Sequence, residues 1–297
     1  MLKYYQDLLK SLTDYSFLKD YLKDPLLKRL KQVGYFCGMD YASKDIYDFS
    51  EYISRYDHSL NVALLTYYLT KDEVQSIAGL YHDVATPCFS HVIDYMNKDY
   101  LKQESTELLT KDLLINDDFL IKRINNLDDI SNFKQYSVVD NERPKLCADR
   151  LDAVILNSYG WIRNLDKSDI SNIIQDIYLE TNEDNEKEIA FKSYDVAKRV
   201  KDLNDSINKA MHSKEDIYMM QLLADIVKEA ISNNIITYEE LYLKTEVNIL
   251  NVLSSSNIDS INEKMNLFYT ISKKSIPNND TIVKDRILSP LVRKKRR

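Results

Sequence analysis

The chain has 297 residues, enough for one large or two modest domains with a well-buried core. A net charge of −7 argues against a general nucleic-acid binder, so nucleic acid is not expected as a partner. Cys37, Cys88 and Cys147 are odd in number and widely spaced, which excludes a disulfide framework and a Cys-x-x-Cys zinc site. The amino terminus is tyrosine-rich and charged, and no apolar run approaches the roughly 20 residues of a membrane span. The expectation is therefore a reduced cytoplasmic location with no membrane partner. With only four glycines and five prolines, the composition favours helices.

The first fifty residues read as helices, with apolar spacing at Tyr5, Leu8, Leu9 and Leu12 and again at Leu26, Leu27 and Leu30. A helix stop is expected near Gly34, followed by a polar loop over residues 38–50. Arg55 to Leu69 reads as a helix on which Arg55 and His58 share a face. Another helix runs from about Asp72 into His82-Asp83. Further helices are expected from near Lys98 through Leu109 and over residues 112–130. Asn141-Glu142-Arg143-Pro144 marks a turn. In the apolar helix from Leu146 to Gly160, Asp149, Arg150 and Asp152 are interruptions. A buried carboxylate is costly alone, so Asp149 needs a cation, a metal or a helix cap as partner. Asp176–Glu180 and Lys187–Lys192 flank a polar turn and predict a short β-hairpin. Long helices resume from about Ser193 to Asn233 and from Glu239, with a short loop at Ser254–Asn257. His212 has no motif around it and reads as a partly exposed side chain. The segment Val283–Pro290 is a candidate strand, and the basic run from Arg293 to Arg297 reads as a solvated end.

The stretch from Leu80 to Asp94 holds two of the four histidines. On a helix His82 and Asp83 point about 100° apart, so a centre near the helix end is needed to take both. A bound cation is such a centre, although a lone His-Asp pair also reads as a helix-end hydrogen bond. His91 lies nine residues beyond His82, on the opposite face of one straight helix. Pro87 is expected to break that helix and start a second, turning His91 and Asp94 back as neighbours at i and i+3.

His58, then His82-Asp83, then Asp149, in this order on successive helices, resembles the HD superfamily of metal-dependent phosphohydrolases. Arg55-x-x-His58-Ser59-Leu60, Pro87-x-Phe89-Ser90-His91 and Asp149-Arg150-x-Asp152 are similar to its deoxynucleoside triphosphate triphosphohydrolase branch. Lys31-Gln32-x-Gly34 and Arg286-Ile287-x-Ser289-Pro290 are similar to that branch too. The resemblance implies an all-α, mostly helical HD-domain fold with a small β-hairpin in the C-terminal half. It implies a phosphohydrolase core over residues 1–165 and a helical extension with the hairpin over residues 166–297, packed as one unit. His58, His82, Asp83 and Asp149 match the four ligands of one divalent ion (Mn, Fe, Ni, Zn or Mg). His91 and Asp94 match the residues that assist hydrolysis. Arg55 and Arg150 match basic residues that hold phosphate, and Gln32 matches a glutamine that touches the sugar. The implied ligand is a nucleotide or another phosphate ester, and a homo-oligomer is compatible with this reading. In such a set the metal acidifies its water and draws charge from a phosphoryl oxygen, while cationic side chains stabilise the others.

The departures from the branch fall on the substrate side. Thr86 stands where another histidine is usual, and Gln103 before Glu104 replaces a histidine in a His-Glu word. Ala153 replaces a tyrosine and Asn157 an aspartate. Thr86, Glu104 and Asn157 are thus expected around an altered substrate shell. The expectation is a metal-dependent phosphohydrolase, with a low-turnover metal- and nucleotide-binding regulatory protein as the alternative.

Overall fold

A computed structural model of the chain describes residues 1–103, 109–278 and 281–293. It is mostly helical with a small sheet, in agreement with the all-α expectation. The amino end holds α1 (Leu2–Ser11), α2 (Leu18–Tyr21) and α3 (Pro25–Arg29). α1 buries Tyr5 and Leu9, one turn apart. Asp24 caps α3 by accepting from the Leu26 N–H, and Pro25 occupies the first position, where a missing N–H breaks no helical bond.

α4 (Arg55–Thr70) and α5 (Glu73–Tyr81) form the helical hairpin on which the site is built. Lys71 ends α4 in the left-handed region, and Asp72 caps α5 through the Val74 and Gln75 N–H groups. The two helices approach closely because Gly79 has no side chain. A Cβ there would lie 3.3 Å from Val62 and 3.4 Å from Thr66. Ser76 adds a hydrogen bond across the gap, donating to the Ala63 carbonyl at 2.8 Å.

Pro87 neither ends the first helix nor starts the next: α5 already stops at Tyr81, with His82 as its cap. α6 (Val92–Met96) begins five residues after Pro87, because Phe89 and Ser90 sit at φ 67° and 45°. The helix expected from Lys98 is absent over residues 98–103, where Lys98 and Gln103 also have positive φ. Its continuation through Glu104–Leu108 lies outside the described residues. Residues 109–131 form three short helices, α7 (Leu109–Ile115), α8 (Asp118–Ile121) and α9 (Asp128–Ser131). α10 (Ala148–Asn157) is followed by a wider π-turn at Ser158–Ile162 and then α11 (Lys167–Asp176).

The expected hairpin is present as β1 (Ile177–Thr181) and β2 (Lys187–Phe191), antiparallel, with Ile177 opposite Phe191. α12 (Tyr194–Met211), α13 (Lys214–Ser232), α14 (Glu240–Leu243), α15 (Glu246–Ser254) and α16 (Asp259–Thr270) follow. The candidate strand at 283–290 forms no ladder. Pairing occurs only at β3 (Leu291–Val292), which runs parallel to β2 and makes the sheet three-stranded.

Two apolar cores result. One gathers α1, α4, α5, α10, α11, the sheet and α12; the other gathers α6, α13, α15 and α16 with the 39–47 segment. That segment is a loop, as expected from its polarity, apart from a single 3₁₀ turn at Met39–Tyr41, yet Met39, Ala42 and Tyr47 are buried in the second core. Neither core divides at residue 165, and Phe49 and Trp161 pack against both. Among the described residues no helix is long and apolar enough to cross a membrane.

Candidate metal centre

The start of α4 is pinned before it reaches its chemistry. Gly34 bridges Ser54, with the Tyr35 N–H donating to Ile53 and the Arg55 N–H donating to Val33. Ser54 and Asp57 form a reciprocal capping box. Arg55 and His58, one turn apart, therefore enter the same cavity. His82 terminates α5, and the close packing at Gly79 brings its ring to 5.1 Å from that of His58. α10 supplies Asp149 from its first turn and Asp152 from the start of its second, its own start held by Ala148 and Asp149 N–H groups donating to the Val138 and Val139 carbonyls.

His58 lies between these two carboxylates. Its Nδ1 is 2.7 Å from Asp152 Oδ2 and its Nε2 is 3.0 Å from Asp149 Oδ1. His82 Nδ1 donates to the Gly79 carbonyl at 2.7 Å, which turns its Nε2 toward the carboxylates of Asp83 and Asp149, and against the opposing effect of burial these raise its pKa. That Nε2 is buried and has no hydrogen-bond partner among the described residues. It lies 3.8 Å from Asp149 Oδ1 and 3.7 Å from Asp83 Oδ1. The ligand atoms of His58, His82 and Asp149 lie within 4.8 Å of one another, so this buried cluster could hold a metal ion. Both imidazoles have Nδ1 fixed by an oxygen acceptor and Nε2 turned inward, which is how ligating histidines are usually oriented. Asp83 Oδ2 is 3.9 Å from His58 Nε2 and accepts a hydrogen bond from Arg55 Nη1 at 3.0 Å.

The electrostatics agree with a site for positive charge. Burial opposes protonation of His58, but Asp149 and Asp152 overcome it and raise its pKa to about 10. Burial likewise opposes ionisation of Asp83 and Asp149, yet the imidazoles hold both below the usual carboxylate range, Arg55 assisting at Asp83. Asp152, fully buried, is raised by desolvation although His58 counteracts it.

The other expected residues divide. His91 and Thr86 line the cavity, and Asp94 stands behind His91, with Nδ1 and Oδ2 2.9 Å apart. Burial lowers the pKa of His91 against the pull of Asp94, and the Arg286 and Arg55 charges lower it further. Arg55 is buried, not surface-paired, and also donates to Ser90 Oγ at 3.2 Å. Arg150 reaches the cavity wall, but its guanidinium is spent on the 140–145 loop. It donates to Lys145 O at 2.8 Å, to Asp140 at 3.3 Å, and to the Asn141 carbonyl and side chain. Asn157 lines the cavity and bonds Tyr35 Oη and the Ala153 carbonyl. Gln32 is exposed and is not part of the cavity wall, because the turn at 30–32 presents Val33 inward instead. Glu104 lies outside the described residues. His212 is exposed, and its ring bonds the Asn208 carbonyl.

Two residues that support the cluster were given no role in the sequence reading. Asp152 stood in the Asp149-Arg150-x-Asp152 word but was given no role, and its i+3 spacing from Asp149 was the available signal. Glu246 is completely buried and accepts from the Phe89 N–H at 2.9 Å, fixing the left-handed turn that presents Ser90 and His91. No local pattern marks it.

No family model matches the chain. It is 24% identical over 212 residues to the uncharacterized protein YdhJ of Bacillus subtilis (strain 168), a match covering 70% of this chain. The matched part spans 63% of that relative's length, so the likeness leaves over a third of the relative unaccounted for.

Proposed function

We propose that this chain is a metal-dependent phosphohydrolase of the HD type, acting on a nucleotide or related phosphate ester. The observation that carries this reading is the unpartnered, buried His82 Nε2, aimed at the same point as His58 Nε2 and the carboxylates of Asp83 and Asp149. Leaving such a nitrogen unsatisfied is costly, and a divalent cation would satisfy it. His58, His82, Asp83 and Asp149 would hold the ion. When bound, it would withdraw charge from a phosphoryl oxygen and lower the pKa of water beside it.

The chain's own residues supply the remaining steps. Arg55 offers a guanidinium to a phosphoryl oxygen at the head of α4. Asp94 accepts from His91 Nδ1–H, leaving Nε2 free to orient a water and accept its proton. The depressed pKa of His91 keeps it in the neutral form that this task requires. The cavity, about 930 Å³, is large enough for a nucleotide. Tyr35, Phe36, Phe49 and Trp161 give its wall a face suited to a ring. Ala153, where the triphosphohydrolases have a tyrosine, supports weak selection between ribose and deoxyribose.

Thr86 in place of an imidazole and the engagement of Arg150 with its own loop favour a second reading, a metal- and nucleotide-binding regulator with little turnover. Metal analysis of the purified protein and phosphate release from a nucleotide panel, with and without Mn²⁺, separate the two. The hydrolase reading requires metal-stimulated release that is lost in Asp83→Ala together with bound metal. Metal-loaded protein that binds nucleotides without releasing phosphate establishes the regulator instead.

A further inference from the structure

Four arginines line the cavity, and they are not alike. Arg55 faces Asp83 and Arg150 faces Asp140. Among the described residues, Arg143 and Arg286 have no carboxylate within ion-pair distance. Their hydrogen bonds go to neutral acceptors. Arg286 Nη2 donates to Gln103 Oε1 at 2.5 Å, and Arg143 Nη1 donates to the Ile287 carbonyl at 3.4 Å. Burial pulls the Arg143 guanidinium down to about 10, and the charges of Arg286 and Arg150 add to that effect. Three guanidiniums gathered at one wall repel one another, and an anion among them removes the conflict.

Arg286 is held in place. Its backbone N–H donates to Asn208 Oδ1 at 2.9 Å, and its carbonyl accepts from Asn204 Nδ2 at 2.7 Å, both on α12. On either side, the Lys284 N–H donates to the Tyr100 carbonyl and the Ser289 N–H to the Pro144 carbonyl. Leu288 is anchored in the first core, and β3 pairs with β2 just beyond. Val283, Lys284 and Arg286 of this strap line the cavity, and a strap fixed at so many points holds the Arg286 guanidinium in a defined place on that wall.

We propose that Arg143 and Arg286 form a second anion subsite, which takes a phosphoryl or similar oxyanion group of the ligand other than the one at the metal centre. The assignment rests on the reading above for the molecule to which that group belongs. Guanidinium forks suit this task because each can give two parallel hydrogen bonds to one oxyanion.

The test uses the full chain loaded with Mn²⁺ and two probes, inorganic tripolyphosphate and orthophosphate, titrated by calorimetry. In Arg286→Gln and in Arg143→Gln the tripolyphosphate Kd is expected to rise about tenfold or more, while orthophosphate affinity changes less than about twofold. Metal content and helical circular dichroism should stay at the wild-type level. Arg286→Lys keeps a charge on the strap but loses the fork, and is expected to fall between. Unchanged tripolyphosphate affinity in both glutamine variants overturns the subsite, as does wild-type protein that binds no tripolyphosphate. Turnover is read separately. Tripolyphosphate bound through these arginines by a protein that hydrolyses nothing removes the hydrolase reading and leaves the subsite standing. Full turnover with unaltered tripolyphosphate affinity in the variants does the reverse.

Discussion

At the scale of single residues, the centre depends on what lies behind its ligands as much as on the ligands. Asp152 accepts from His58 Nδ1 and so decides which nitrogen faces inward. Asn in its place can present an N–H to that nitrogen and favour the other tautomer, while volume and packing are nearly conserved. Asp152→Asn is expected to bind divalent metal about 10–100-fold more weakly with helical content unchanged. A metal titration against wild type checks this, and equal affinities would remove Asp152 from the centre. The Gly79 carbonyl does the same work for His82 and cannot be altered by a side-chain substitution.

At the scale of elements, the loop between α5 and α6 is the most demanding piece of backbone. It needs two consecutive non-glycine residues at positive φ, and it is packed from outside by Gly38, itself at φ 78°. A Cβ on Gly38 would stand 2.5 Å from the Phe89 ring. Gly38→Ala should therefore cost about 1–3 kcal/mol, from the left-handed backbone and from displacement of Phe89. Thermal unfolding should register the loss, and metal content should not change, because no ligand lies in that loop beyond Asp83. Loss of metal in parallel would mean that the loop and the centre are one unit. The same loop explains what the sequence could and could not reveal. Amphipathic spacing, the Asp72 cap and the polar turn of the hairpin are local signals, and α1, α5 and the β1–β2 pair follow from them. The order of His58, His82-Asp83 and Asp149 was legible for the same reason. Pro87 lies within the interruption but does not set its start, which is at Tyr81, and where α6 begins depends on Glu246, 157 residues from Phe89. Arg143 and Arg286 acquire meaning only when distant segments meet, and Gln32 loses its expected role because a 3₁₀ turn faces it outward.

For the molecule as a whole, buried carboxyls set a pH dependence of stability. Desolvation raises Glu246 from 4.5 to about 7, with Asp40 nearby adding to it, and desolvation also raises Asp40 to about 7. Between those values the folded state keeps a proton that the unfolded chain has released. Stability therefore falls as pH rises from about 4.5 to 7 and changes little from this source above that, by up to about 3 kcal/mol for one such group. Glu246→Gln keeps a carbonyl for the Phe89 N–H and removes the ionisation. Its Tm is expected to decline less steeply than wild type between pH 5 and pH 8, and parallel profiles would show that Glu246 does not carry the effect.

The parallel β2–β3 pair has a consequence for the newly made chain. Synthesis proceeds from the amino end, so His58, His82, Asp83 and Asp149 leave the ribosome well before Leu291 and Val292 can join Phe191. A chain paused with residue 280 at the tunnel exit already carries every candidate metal ligand, but not the strap that brings Arg286 over the cavity. If the cluster takes a metal, its ligands are in place before the cavity wall is complete, and the proposed anion subsite can form only once the strap has docked.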